Sequence, residues 1–278
     1  MVEIALSPQE SAGVAAATAG PLAGQPPARP QVRRLARDDL AEALAAGWKD
    51  FRRAPSFGLF FGALYMLGGW AIVLLALFSD LYYLSYPLAT GFALIGPFVA
   101  AGLYEVSRRL EMGEPLGWRA VLGAVRKGGT RDLGWMALVT LFAFIIWVDF
   151  ALFLYLMFFG LHMPAWQEFL LSLVTTLDGL TFFVVGNLAG AAIAFFIFCI
   201  TVVSCPLLLD RDIDFVTAML TSLRAVGANR AQMVSWAGMI AMMMCASLLT
   251  GLLALVVVLP LLGHATWHVY RRIVVPAA

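Results

Sequence analysis

Two pairs of side chains in this sequence have types and spacing suited to chemistry. His264 and His268 stand four apart, which on a helix puts both imidazoles on one face. A metal ion or a haem could be held there, since imidazole nitrogen is a ligand for either. Two ligands are too few for a zinc site, and the third histidine, His162, is expected at the opposite surface. The favoured reading of the pair is an interfacial anchor. Trp267, Tyr270, Arg271 and Arg272 surround it, and Trp and Tyr gather at headgroup depth. The second pair is Asp149 (IIWVDFALF) and Asn187 (VVGNLAG), both within long apolar stretches. A charge at the bilayer centre costs about 2.5–3.5 kcal/mol, so such a carboxylate is a functional candidate by default. Asp149 is expected to face other helices or to be protonated. Asn187 is its candidate hydrogen-bond partner, and water at the outer boundary is the alternative.

The remaining reactive residues say less. Cys199, Cys205 and Cys245 lie in apolar segments without zinc-like spacing, and an odd count excludes a complete disulfide framework. They read as small buried hydrophobes. The sequence contains no P-loop, GxSxG, HExxH, CxxC or GxGxxG. The expectation is therefore a protein that is not an enzyme and does not itself drive transport with ATP.

Composition says where these residues must sit. Of 278 residues, 62% are hydrophobic and 13% charged, against about 25% charged in a soluble domain, and the mean hydropathy is +0.88. That much apolar surface requires a bilayer. Lys and Arg flank apolar segments rather than forming a separate stripe, which argues against nucleic-acid binding. Residues 1–34 are rich in Ala, Gly and Pro with no basic stretch before the small-residue run, so they read as a disordered cytoplasmic tail rather than a signal peptide. Residues 35–275 read as one helical transmembrane domain.

A spanning helix needs about 20 apolar residues. Phe57–Phe78, Tyr82–Tyr104, Leu133–Gly160 and Thr181–Leu209 qualify. Ala231–Tyr270 lacks any charged residue and is too long for one span, so it is expected to split near Thr250–Gly251. Six spans put every Lys and Arg on one side, whereas the alternative, five, strands Arg271 and Arg272 opposite the rest. The positive-inside rule makes the Arg-rich side cytoplasmic, with the N-terminus inside.

Asp39–Arg53, Leu116–Lys127 and Asp214–Ala228 each carry apolar residues at helical spacing opposite basic ones, the pattern of an amphipathic interfacial helix. The alternative for each is packing on neighbouring loops. Asp39 and Glu42 fit a capping box, and Asp214 is a candidate N-cap. Pro164–Asp178 reads as a helix on the outer surface. Pro87 and Gly96–Pro97 mark breaks in the second span, and Gly58/Gly62 and Gly186/Gly190 form small-xxx-small patterns. The charged ends SRRLEMGEP and LLLDRDID are expected to salt-bridge across loops.

The stretches GWKDFRRAPSFGLFFG, YPLATGFALIGPFVAAGLYEVSRRLEMGEPLGW, VVSCPLLLDRDIDFVTAMLTSLRAVGAN and VLPLLGHATWHVYRR resemble those of a bacterial domain-of-unknown-function family of predicted multi-pass integral membrane proteins. The resemblance covers roughly residues 40–275. It implies an all-α, multi-pass protein of the cell inner membrane and supplies no activity. Some members are loosely labelled cytochrome c oxidase subunit I, a label that three histidines cannot support. The leading functional expectation is a non-catalytic scaffold, assembly or partner-binding protein, in contact with lipid and with other membrane proteins or a respiratory complex. A small-solute transporter or channel using Asp149 and Asn187, and a haem- or metal-binding protein using His264 and His268, are the alternatives.

Overall fold

A computed structural model describes residues 30–78, 85–127, 130–161 and 166–275, and within these the regular structure is helical. In chain order the helices are α1 (Asp39–Arg53), α2 (Pro55–Phe78), α3 (Ser85–Val99), α4 (Ala101–Met112), α5 (Trp118–Lys127), α6 (Thr130–Phe159), α7 (Trp166–Thr175), α8 (Leu177–Thr201), α9 (Ser204–Asp210), α10 (Phe215–Ala228), α11 (Arg230–Leu249) and α12 (Leu255–Ile273). Four stretches are long and apolar enough to cross a bilayer: Pro55–Leu75, Arg131–Phe159, Leu177–Asp210 and Arg230–Leu249.

Two expected spans fall outside that set for physical reasons. The second is interrupted at Ala100, three residues after Pro97, so it becomes α3 and α4. The Tyr65 hydroxyl donates to the Phe92 carbonyl at 2.7 Å in the turn before Pro97, where a proline loosens the backbone ladder. The start of this span, Tyr82–Leu84, lies outside the described residues, as do His162 and the tail to Arg29. The last expected span, α12, carries His264, Thr266, His268, Arg271 and Arg272 in its second half, which dilutes its apolar character. The break before it falls where the sequence placed it. α11 ends at Leu249, and Gly251 then takes φ +61°, a left-handed conformation that glycine adopts without strain.

α12 is the hub. It packs antiparallel along α1 and α2 and also against α4. Gly62 lies so close that a Cβ there would sit 2.5 Å from the Val256 carbonyl oxygen, and one on Gly47 would sit 2.5 Å from the Ala265 nitrogen. The densest core, including Leu103, Tyr104, Val106, Cys205, Leu207, Trp267, Tyr270 and Ile273, lies where α1, α4, α9 and α12 meet at the Arg-rich end. The long apolar helices are far more open: Phe142, Phe153 and Met157 of α6 and Met242 and Leu248 of α11 are exposed. That is the pattern of helices clothed by lipid.

The amphipathic segments divide in how they use their apolar faces. α1 buries Ala43, Gly47, Asp50 and Phe51 against α12 and α2, and α10 buries Ala218, Ser222, Ala225 and Val226. α5 buries Val121 but exposes Trp118 and Leu122. The capping box expected at Asp39 and Glu42 does not form. Asp38 occupies the N-cap position without a side-chain bond, and Asp39 and Glu42 instead hold Arg272 at 3.1 and 3.0 Å. The guanidinium outcompetes the cap because it satisfies both carboxylates at once. Asp214 does cap α10, accepting from the Thr217 N–H at 2.8 Å.

Candidate functional site

α12 carries both histidines, and four-residue spacing does put them on one face, yet they serve different partners. His264 is fully buried, with Nδ1 2.8 Å from the Ser107 hydroxyl of α4. Its Nε2 is buried without a hydrogen-bond partner among the described residues. His268 Nε2 lies 2.7 Å from Asp50 Oδ2 of α1. Asp50 itself is only 6% exposed. Burial pushes its carboxyl up, but the His268 hydrogen bond and charge, with a further bond from Ser107, outweigh that and hold it below its ordinary 3.8. Between them these residues tie three helices together: Asp50 on α1, Ser107 on α4 and the two histidines on α12.

A haem or metal fits this arrangement poorly. One imidazole is enclosed by core side chains and the other is committed to a carboxylate, so the two rings present no shared open face. Among the described residues no cluster of three or more His, Cys, Asp or Glu could hold a metal ion.

Around this core the charged loop ends are paired, but within α4 and with Arg271 of α12 rather than with each other across the loops as expected. Glu105, 2% exposed, receives Arg108 through two bonds of 2.7 and 2.9 Å and Arg109 at 2.6 Å. Glu111 accepts from Trp267 Nε1 and from Arg271 Nε, each at 3.0 Å. Asp210, ending α9, accepts from the Tyr270 hydroxyl and lies 3.4 Å from Arg271. Charge-assisted bonds of this kind are the strong ones. Those of Glu111 and Asp210 lock α12 to α4 and α9 at the level where the apolar stretches end, while those of Glu105 stay within α4.

The first and last described segments of the chain join the same cluster. Val32 pairs antiparallel with Val274. Arg33 N–H donates to the Ile273 carbonyl at 2.9 Å, and Val275 N–H to that of Gln31 at 3.0 Å. Asn229, buried between α10 and α11, accepts from Leu35 N–H at 2.7 Å and donates to the Arg33 carbonyl at 3.1 Å.

The other candidates lie elsewhere. Asp149 is exposed on α6, so it does not turn toward neighbouring helices, which was one of the alternatives expected for it. The local reason is that Trp147 and Leu154 occupy the inward positions, Trp147 lying 3.0 Å from where a Cβ on Gly190 would be. Asn187 is exposed and its amide donates to the Phe183 carbonyl of its own helix at 2.8 Å. Cys199 and Cys205 are buried and Cys245 is exposed, all as free thiols.

Asp50, Ser107, Glu105, Glu111 and Asp210 are the residues that sequence reading passed over as parts of one site. For Asp50 a signal existed. It shares a helical face with Ala43 and Gly47, so a carboxylate stood on a stripe of small residues, facing the core. Ser107 carried none, since its partner is 157 positions away.

Residues 85–210 match the model of a family described as "Predicted integral membrane protein (DUF2189)". That stretch runs from the start of α3 to the end of α9 and includes Ser107, Glu105, Asp149, Asn187 and Asp210. The match bears out the resemblance to a domain-of-unknown-function membrane family, and together with the four helices apolar enough to cross a bilayer it marks the chain as membrane-integral. No curated protein and no solved structure matches it.

Proposed function

From a membrane-integral chain built round this terminal cluster, we propose a six-span inner-membrane protein of bacterial type that works without catalysis, as a scaffold, assembly or partner-binding protein. The spans are α2, α3 with α4, α6, α8 with α9, α11 and α12. Both termini lie in the cytoplasm, and α1, α5 and α10 lie along the cytoplasmic face. The pairing of Val32 with Val274 supports an even number of crossings, because it requires both ends on one side. The positive-inside rule supplies the orientation. A reporter enzyme fused after Ala278 is expected to be active in the cytoplasm alone, and activity on the outer side would overturn six spans.

One observation carries the scaffold reading. The buried Asp50 and the half-buried His268 are spent on a pair that fixes α1 on α12, and the buried Glu105 on arginines of its own helix, while large apolar faces of α6 and α11 stay open. A rigid core with open membrane-facing helices suits holding another membrane protein better than turning over a substrate. A photo-crosslinking residue at Phe153 on α6 should give one discrete protein adduct in native membranes, and lipid adducts alone would refute the reading. The transporter reading keeps one supporting observation, the exposure of Asp149 on α6. Solute flux into reconstituted liposomes, lost in Asp149→Ala, would favour it over the scaffold.

A further inference from the structure

We propose that the junction between α1 and α2 binds the headgroups of anionic phospholipids. The observation behind this is a division among the cations. Arg108, Arg109, Arg271 and Arg272 are held by carboxylates. Lys49, Arg52 and Arg53, in the last turns of α1, and Arg119, in the first turn of α5, are exposed and form no ion pair among the described residues, as is true also of Arg34, Arg37, Arg131, Arg224 and Arg230, and it is their position that sets the first four apart. The acids that could have neutralised them are used elsewhere. Asp50 turns inward to His268, and Asp39 and Glu42 at the far end of α1 hold Arg272. Three cations within five residues are therefore left uncompensated.

Their position selects the ligand. Pro55 begins α2, a helix apolar enough to cross the bilayer, so Arg53 and Arg52 stand two and three residues before that helix start. Two exposed indoles share this level. Arg52 lies over the Trp48 ring at 6.0 Å. Trp118, 41% exposed, packs on Phe57 and Phe60 of α2 with centroids 4.3 and 5.0 Å away. These contacts bring Arg119 beside the first turn of α2. Cations matched to phosphate, with amphipathic rings at headgroup depth, are complementary to an anionic lipid surface. The dipole of α1 favours cations in its last turn, but it does not explain Arg119, which stands at the end of α5 where the dipole disfavours positive charge. A lipid phosphate accounts for both.

The test uses the full chain reconstituted in phosphatidylcholine bilayers with trace spin-labelled phosphatidylglycerol or spin-labelled phosphatidylcholine. The wild type should associate with the phosphatidylglycerol probe several-fold more strongly. Each cation near the surface contributes up to about fivefold, so Lys49→Gln/Arg52→Gln/Arg53→Gln should abolish most of the preference and Arg52→Lys/Arg53→Lys should keep it. Equal association of both probes with the wild type, or an undiminished preference in the triple Gln variant, overturns the proposal. The site rests on α2 entering the bilayer at its first turn, and a nitroxide at Ser56→Cys checks that separately. It should report headgroup depth, and a nitroxide in bulk water would overturn the placement itself.

Discussion

At the scale of single residues, Asp50 and His268 form the pair most open to test. Removing one member of a buried pair leaves the other desolvated and uncompensated, at about 3–5 kcal/mol. The edge of His268 reaches water, so His268→Ala should cost about 3 kcal/mol, at the low end of that range, read as a fall in melting temperature in mild detergent. Asp50 also sets a pH dependence. Its folded carboxyl is held below its ordinary 3.8, so it contributes stability that is present above that value and is lost as the pH falls below it. The melting temperature of the wild type should therefore drop on acidification below about pH 4, and Asp50→Asn should flatten that limb while lowering stability at neutral pH. A limb of equal depth in Asp50→Asn would assign acid sensitivity to other carboxylates. The histidines were legible from spacing alone, but their meaning was not. Their partners come from α1 and α4, and only packing decides that His264 meets a serine and His268 a carboxylate.

At the scale of elements, the sequence offered two small-xxx-small patterns of equal standing, and packing separates them. Gly62 faces the Val256 backbone, which cannot step aside, so Gly62→Ala should destabilise by about 1–3 kcal/mol through overpacking of α2 on α12. A Cβ on Gly186 meets nothing within 4 Å, so Gly186→Ala should leave the melting temperature unchanged or raise it, alanine being the better helix former. Comparable losses in both variants would show that α2 and α12 do not approach as closely as described. Helix ends divide in the same way. Asp214 caps α10 as its local sequence implies, and Asp214→Ala should cost about 1 kcal/mol. Asp39 and Glu42 carry an equally good local signal, but a long-range arginine claims them. Local rules predict a helix end well until a charge from elsewhere competes for the same oxygens. The long apolar helices were the most legible elements, because length and hydropathy alone define them. The second span was not, because Pro97 and the interruption at Ala100 divide what composition reads as continuous.

At the scale of the whole molecule, the question is how the chain's two ends are related. Charge placement argues for an even number of crossings, but it is a statistical preference. The contact between the ends is a mechanical one. Gln31–Arg33 lies against Ile273–Val275 through two backbone hydrogen bonds, and Asn229 clamps the same strand-like segment from the other side through Leu35 and Arg33. Arg33 and Arg272 add a further bond between the ends. A bilayer of about 30 Å between the termini would forbid every one of these contacts. Val32→Cys/Val274→Cys, placed in a background with Cys199, Cys205 and Cys245 replaced by Ser or Ala, should therefore form an intramolecular disulfide under mild oxidation. Facing residues of an antiparallel pair have Cα atoms about 4.5–5.5 Å apart, within the reach of a disulfide. The product should migrate faster than the reduced form on a denaturing gel and revert on reduction. Adding Asn229→Ala should slow its formation, because the clamp that holds the N-terminal segment in place is gone. Failure of the two cysteines to join within one chain would leave the Arg271 and Arg272 pair free to lie on the far side, and five crossings would then be the better account of the α11–α12 hairpin.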